Sequence, residues 1–460
     1  MEGIMSQEEI SRRSFLQVTA LAGAAIATVS DLGCQTASNG RSGAKAETMM
    51  GVPFQKYPKV RLGLIGVGER GTGHLGDFLA IPDVEVVAIC DINQSSSSRY
   101  GTESAKKRIA AAGKNEPVVY GKDGDDWKNL CKRGDLDLIY ISTPWDLHVP
   151  NAVAAMEGGA HAAVEVPAAI DLKGCWQLVE VSEKTRRHCM MMENCNYGRT
   201  EMMVLNMVQQ GLFGTITHGE AAYIHDLRTP WYSSLTNVGP WRRPMHTRYD
   251  GNLYPTHGLG PVCWYMGIHK GDRMKSLVSY SSPEASLSEF INKSLEASDP
   301  RRNEKYICGD INTSTIKTAL GRTILLQHDV VTPRPYTRHN LIQGSKGCYA
   351  DYPSRIHIDG VGTAHQWDND IRPWMEKYGH PLWIELEEQA RQSGHGGMDY
   401  IMNYRLIQCM KQGIKPDFDV YDAAAWSAPF PLSVASVKND GQPQQFPDFT
   451  NGYWKDEKNT

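Results

Sequence analysis

Gly66, Gly68 and Gly71 stand in the spacing GxGxxG directly after the apolar run Val60–Ile65. A carboxylate, Asp91, follows 20 residues after the last glycine, at the end of a second apolar run, Val84–Cys90. Each residue type has a task in binding a dinucleotide. The first glycine makes the tight turn, the second lets the backbone approach a pyrophosphate, and the third lets the next helix pack on the sheet. The helix N-terminus then offers amide donors and the positive end of its dipole to the phosphates. A carboxylate at Asp91 accepts from both ribose hydroxyls of NAD and repels the extra phosphate of NADP. The glycine spacing alone is weak. Strand, glycines, helix, strand and acid in that order predict an NAD site.

The elements that must position these residues alternate. Residues 95–112 suit a helix, 136–141 a strand that ends at Pro144, and 162–166 another strand that ends at Pro167. A helix over 172–187 and a strand over 189–193 complete the repeat, so the pattern predicts a Rossmann-type doubly wound parallel sheet. From Gly198 the character changes to alternating runs such as 215–223, 315–320 and 323–327, separated by loops rich in Trp, Arg, Tyr and His. The expectation is an α/β chain with a nucleotide domain at 58–197. A second α/β domain at 198–450 would carry a large, open, mainly antiparallel sheet. Residues 37–58 read as a linker, and the tail from Lys438 reads as polar apart from an edge strand near Phe446.

The chain has 460 residues and a net charge of -4, which leaves no electrostatic footprint for nucleic acid or an anionic membrane. Its 10 cysteines form no CxxC pair, so no metal site is expected. Near the start, Arg12-Arg13 precede a small apolar run at 18–29 that is too short to span a bilayer. Paired arginines in that place predict a twin-arginine export signal within residues 1–46, and hence a periplasmic protein. Cys34, after Leu32-Gly33, offers lipid attachment as the alternative to cleavage near Ala46.

Thr143-Pro144 with His148, followed by Glu165-Val166-Pro167, resembles the TPxxxH and EKP signatures of the glucose–fructose oxidoreductase, inositol dehydrogenase and MocA superfamily. The runs at 66–75, 193–199 (Glu193-Asn194-Cys195-Asn196-Tyr197-Gly198-Arg199), 221–228, 251–262 and 333–338 are similar to one branch of it. That branch is glycoside hydrolase family 109, the NAD-dependent N-acetylgalactosaminidases. The resemblance covers most of the chain from Val60 to about Phe446. It implies that Arg70, Gly71, Asp91, Trp145, His148, Glu165, Val166 and Asn194 hold NAD. It also implies that Tyr223, Arg242, Tyr254, His257 and Tyr336 hold the sugar, with His257 and either Tyr254 or Tyr223 as the acid/base pair. Trp231 and Trp241 are further candidates for stacking on sugar, and His395 for reaching the cleft. Two departures from the superfamily's dehydrogenases fit this branch. Val166 replaces the proton-carrying lysine of EKP, and Leu253 stands where an aspartate precedes the histidine. The implied reaction oxidises C3, eliminates the glycosidic oxygen from C1, adds water and reduces C3 again. An exported sugar dehydrogenase with net NAD turnover is the alternative. The partner expected is a small glycoside, with no nucleic acid and no membrane span, and self-association is compatible with the resemblance.

Overall fold

β1 (Val60–Ile65) is buried at every position but its second, as a strand with helices on both faces must be. In the computed structural model, which describes residues 47–229 and 241–456, this strand lies near the middle of a six-stranded sheet. Its neighbours are β2 (Val84–Cys90), β3 (Val118–Tyr120), β4 (Leu138–Ile141), β5 (His161–Val164) and β6 (Cys189–Met191). The order is β3-β2-β1-β4-β5-β6, and every pairing is parallel. This is the doubly wound arrangement, whose ligands bind at the C-terminal strand ends where the order reverses, beside β1 and β4.

An eight-stranded sheet follows, with β7 (Ile216–Ile224), β8 (Met274–Ser281), β9 (Asn312–Thr318) and β10 (Thr323–Asp329). It is completed by β11 (Leu341–Gly344), β12 (Gly347–Ala350), β13 (Arg355–Ile358) and β14 (Gln444–Gln445), in the order β13-β12-β11-β7-β10-β9-β8-β14. Only β7 with β10 runs parallel, so the sheet is mainly antiparallel as expected. Two helices tie the sheets to the nucleotide turn. Thr256–Met266 packs on β7 and on the short turn Asn194–Tyr197, and Met398–Gln412 packs on Glu69–Ala80.

Three expectations are corrected. Residues 95–101 do not join the helix, which is Thr102–Ala111. Gly101 caps it at φ 99, and a side chain there would lie 2.1 Å from the Asn93 carbonyl. The stretch 47–58 is not a linker. Met49, Phe54 and Tyr57 are buried, and Tyr57 Oη lies 3.0 Å from His161 Nε2. The tail is not merely polar, because Phe446 and Phe449 are buried and Phe449 stands against Trp176 at 4.9 Å. The export signal, Cys34 and Trp231 lie outside the described residues. Among the described residues no helix is long and apolar enough to cross a membrane.

Candidate active site

The glycine turn fits a pyrophosphate by what it leaves empty. A side chain on Gly66 would come within 2.6 Å of the Ser142 carbonyl, and one on Gly71 within 2.1 Å of the Gly66 carbonyl. Gly66 also has φ 88, which favours glycine. Gly68 meets nothing within 4 Å, so its missing side chain keeps open the face on which the helix Glu69–Ala80 begins. The turn therefore presents bare amides to a ligand, as phosphate binding requires. At the end of β2, Asp91 accepts from the amides of Val67 and Asn93, both at 2.8 Å. Those two bonds fix the carboxylate at the turn while each oxygen keeps a lone pair for a ribose hydroxyl. NAD is the cofactor of this nucleotide domain, and the bare amides of the turn with Asp91 have the donors and acceptors to hold it.

Beside the turn lies a compensated set of charges. Arg70 donates to Glu165 Oε1 at 2.9 Å and to Asp399 Oδ2 at 2.8 Å. Glu165 also accepts from Tyr140 at 2.7 Å and faces His74 Nε2 at 3.2 Å. Burial pushes Glu165 up, but Arg70 and His74 outweigh it and hold the carboxyl well below its usual range. Asn194 donates to Asp399 at 2.7 Å, which brings this residue into the same set. His148 is placed differently. Its Nδ1 lies 2.7 Å from the Pro167 carbonyl and its Nε2 2.8 Å from the Thr143 carbonyl. Both nitrogens are thus engaged by backbone, so the ring braces the two proline turns at the ends of β4 and β5. Val166, beside the paired Glu165, is buried and apolar.

The sugar-side residues converge next to these turns. The Trp145 ring centre lies 5.7 Å from that of Tyr254 and 4.9 Å from that of Trp241. The Arg242 guanidinium sits 5.0 Å from the ring centres of Trp145, Trp241 and Tyr254. Tyr223 and Tyr254 face each other at 4.6 Å, and Tyr336, 38% exposed, closes the group 6.3 Å from Tyr223. Tyr254 Oη lies 3.3 Å from His257 Nε2, and His257 Nδ1 lies 2.7 Å from Glu193 Oε1. Burial pushes the Tyr223 phenol up to about 12, more than Arg242 pulls it down. Arg242 alone therefore does not make this tyrosine a base. Leu253 is buried core.

Sequence reasoning missed two residues and underused a third. Glu193 is fully buried at the end of β6, and although burial pushes its carboxyl up, His257 holds it below the usual range. Its place one residue beyond the strand-end geometry of Glu165 was the available signal. Asp399 gave no signal because Arg70 and Asn194, the partners that tie it to the site, are hundreds of residues away in sequence. His395 does reach the site, with Nδ1 2.8 Å from Asp399 Oδ2. The donor atoms of Glu193, Cys195 and His257 lie within 4.8 Å of one another. Arg338 donates to the Cys195 sulfur at 3.1 Å, which sets a fixed positive charge where a cation would compete.

Comparisons with known proteins match both halves. Residues 60–193 fit the NAD-binding Rossmann fold of an oxidoreductase family, and residues 197–456 fit the C-terminal domain of glycosyl hydrolase 109. A glycosyl hydrolase family 109 protein of Shewanella sp. (strain ANA-3) is 47% identical over 450 residues, covering 97% of this chain and 98% of its own. One from Streptomyces filamentosus is 47% identical over 468 residues, covering 98% and 93%. In fold, levoglucosan dehydrogenase in complex with NADH aligns with a TM-score of 0.62 at 17% identity, over 85% of this chain and 99% of that one. The WlbA dehydrogenase from Bordetella pertussis, with NADH and UDP-GlcNAcA, aligns at 0.58 and 17%, with the same coverage. With 47% identity across nearly its whole length and a matched C-terminal domain, the chain belongs to glycosyl hydrolase family 109, as a glycoside hydrolase with an NAD-binding domain.

Proposed function

We propose that the protein hydrolyses terminal, alpha-linked N-acetylgalactosaminides by oxidation at C3, elimination, hydration and reduction. NAD held at the glycine turn supplies the reversible hydride acceptor for C3. The ketone so formed acidifies C2–H, and the rest is proton traffic that the chain must carry. The observation that supports this reading is the row Glu193, His257, Tyr254 and Tyr223, together with a buried, apolar Val166 next to Glu165 in sequence. The proton carriers lie among the sugar-side aromatics, and the usual lysine position beside Glu165 holds none.

In this reading the C3 hydroxyl gives its proton to solvent as C3 is oxidised. The ionised phenol of Tyr223 takes the C2 proton, the C1–O bond breaks, and the departing oxygen takes a proton from protonated His257. Water then gives a proton back to His257 as its oxygen joins C1. Tyr223 returns a proton to C2, and the C3 oxygen regains a proton from solvent as C3 is reduced. Glu193 keeps His257 Nδ1 protonated, so that Nε2 is the working nitrogen. Arg242 and Arg338 pull Tyr223 down against burial, and the positive charge of bound NAD+ would add to them in lowering it from about 12. Such NAD-dependent cycles stand outside the two-carboxylate scheme of most glycosidases.

Hydrolysis of a p-nitrophenyl N-acetylgalactosaminide in heavy water, without added cofactor, tests the proposal. The expected product carries deuterium at C2. Product with only protium, from substrate whose own C2 deuterium is fully retained, would overturn it. Absorbance of reduced cofactor growing in step with substrate loss would mark the net dehydrogenase instead. We also infer export by the twin-arginine route from Arg12-Arg13 and the apolar run after them. Replacing both arginines by lysine should strand the folded protein in the cytoplasm, and unchanged fractionation would refute it.

A further inference from the structure

The segment from Gly394 to Asp399 comes from the far end of the sequence and touches the nucleotide turn through one residue, Arg70. Asp399 Oδ2 accepts from Arg70 Nη1 at 2.8 Å and lies 2.8 Å from His395 Nδ1, while Oδ1 accepts from Asn194 at 2.7 Å. The segment is bent to allow this. His395, Gly396 and Gly397 have φ values of 52, 68 and 101, three successive left-handed residues. Left-handed backbone at a non-glycine such as His395 persists only where the surroundings over-determine it. The tie to Asp399 supplies that constraint. A side chain on Gly394 would lie 2.8 Å from Asp399 Oδ2, and one on Gly397 2.8 Å from the Ala390 carbonyl, so the two glycines also give the carboxylate and the helix start their room. Asp399 itself is 5% exposed and stands in the first turn of Met398–Gln412, where the helix dipole favours a carboxylate. One turn on, Asn403 Nδ2 contacts His74 and Asp77 of the Glu69–Ala80 helix, at 2.7 and 3.2 Å. The two helices are therefore joined by polar contacts at Asp399 and Asn403, and the first of these falls on Arg70, directly before Gly71.

We propose that residues 394–399 form a clasp that keeps the dinucleotide on the protein between turnovers, with Asp399 as a positioning residue acting through Arg70. Without Asp399, Arg70 keeps its bond to Glu165 but only the 3.2 Å contact with the exposed His395 Nδ1 from the segment, and Asn194 and His395 lose their common anchor. The idea rests on the redox-neutral cycle proposed above, in which the cofactor has no reason to leave. Its test reads cofactor exchange directly, so the two can fail separately.

Purified protein carrying its own NAD is diluted into isotopically labelled NAD, and exchange is followed by mass spectrometry of the bound fraction. Asp399→Asn keeps the shape and removes the charge. Loss of one partner of a buried charge pair should speed exchange roughly 10- to 10³-fold. His395→Ala, at an exposed ring, should speed it less, and Asp399→Glu should recover part of the loss. Glycoside cleavage by Asp399→Asn should then depend on added NAD, with the defect in the apparent KM for NAD rather than in kcat. Unchanged exchange in Asp399→Asn would overturn the clasp. So would an NAD-free variant with a native circular dichroism spectrum that added NAD does not restore.

Discussion

The two sides of the cleft are built from different chemistry. On the cofactor side, Arg70, Glu165 and Asp399 compensate one another within 2.9 Å, and Asn194, Tyr140 and His74 take up remaining donors and acceptors. On the sugar side, Tyr223, Tyr254 and Tyr336 meet ring to ring, with phenols pushed up by burial, Arg242 against Tyr254 and Arg338 against Tyr336. Paired charges in low dielectric are costly to separate, so the first side holds a fixed shape. Phenols beside a histidine can change protonation while the Arg70, Glu165 and Asp399 pairs stay whole. The division suits a cycle in which the cofactor stays and protons move.

The largest expected effect lies on the sugar side. His257→Ala should lower the rate of glycoside cleavage roughly 10²- to 10⁴-fold, the usual cost of a lost acid/base group, and leave the NAD content of the purified protein unchanged. Loss of NAD in this variant would show that the two sides are not separable. Glu193→Gln should follow, with a drop of roughly 10- to 10²-fold in kcat, because an amide no longer stabilises a proton on His257. His257 holds the Glu193 carboxyl below its ordinary 4.5, so Glu193 is ionised at all higher pH. The Gln variant should therefore show its defect from about pH 5 upward, no smaller at higher pH. A defect that vanished toward alkaline pH would place the lost proton elsewhere.

The contrast between the sides also explains what could be read before the structure. The cofactor turn was legible because its chemistry is local. Gly66, Gly68 and Gly71 answer to backbone geometry within one strand, turn and helix. The six-stranded sheet followed from alternation, except β3, which is three residues long, carries no fully buried residue and sits at the edge. The sugar side was legible only through a resemblance, since nothing in the spacing of Tyr223, His257 and Tyr336 brings their rings together. Asp399 and the buried start at Met49 were not legible at all. Their partners, Arg70 and Tyr421, are fixed by the packing of distant helices. Glu193 falls between: its place at a strand end was visible, but its bond to His257 comes from the helix Thr256–Met266 lying over the Asn194–Tyr197 turn.

The smallest expected effect probes the one acid beside the charge network that its surroundings do not stabilise. Asp77 is 8% exposed on the Glu69–Ala80 helix, and burial pushes its carboxyl up to about 6, more than His74 and Asn403 pull it down. Because its folded value exceeds the ordinary 3.8, the folded state holds this proton more tightly than the unfolded chain does. The contribution of Asp77 to stability is therefore fully present below about pH 4 and is lost as the pH rises through about 6, a change of about 3 kcal/mol. Asp77→Asn removes that cost, and the Asn403 Oδ1 atom, which has no hydrogen-bond partner, offers the new amide an acceptor. Denaturant unfolding with saturating NAD should show the variant more stable by about 1–3 kcal/mol near pH 7.5, with the gain shrinking to nearly nothing near pH 4. A gain of equal size at both pH values would mean that packing, not charge, sets it. A loss at neutral pH would mean that Asp77 is compensated like its neighbours Glu165 and Asp399.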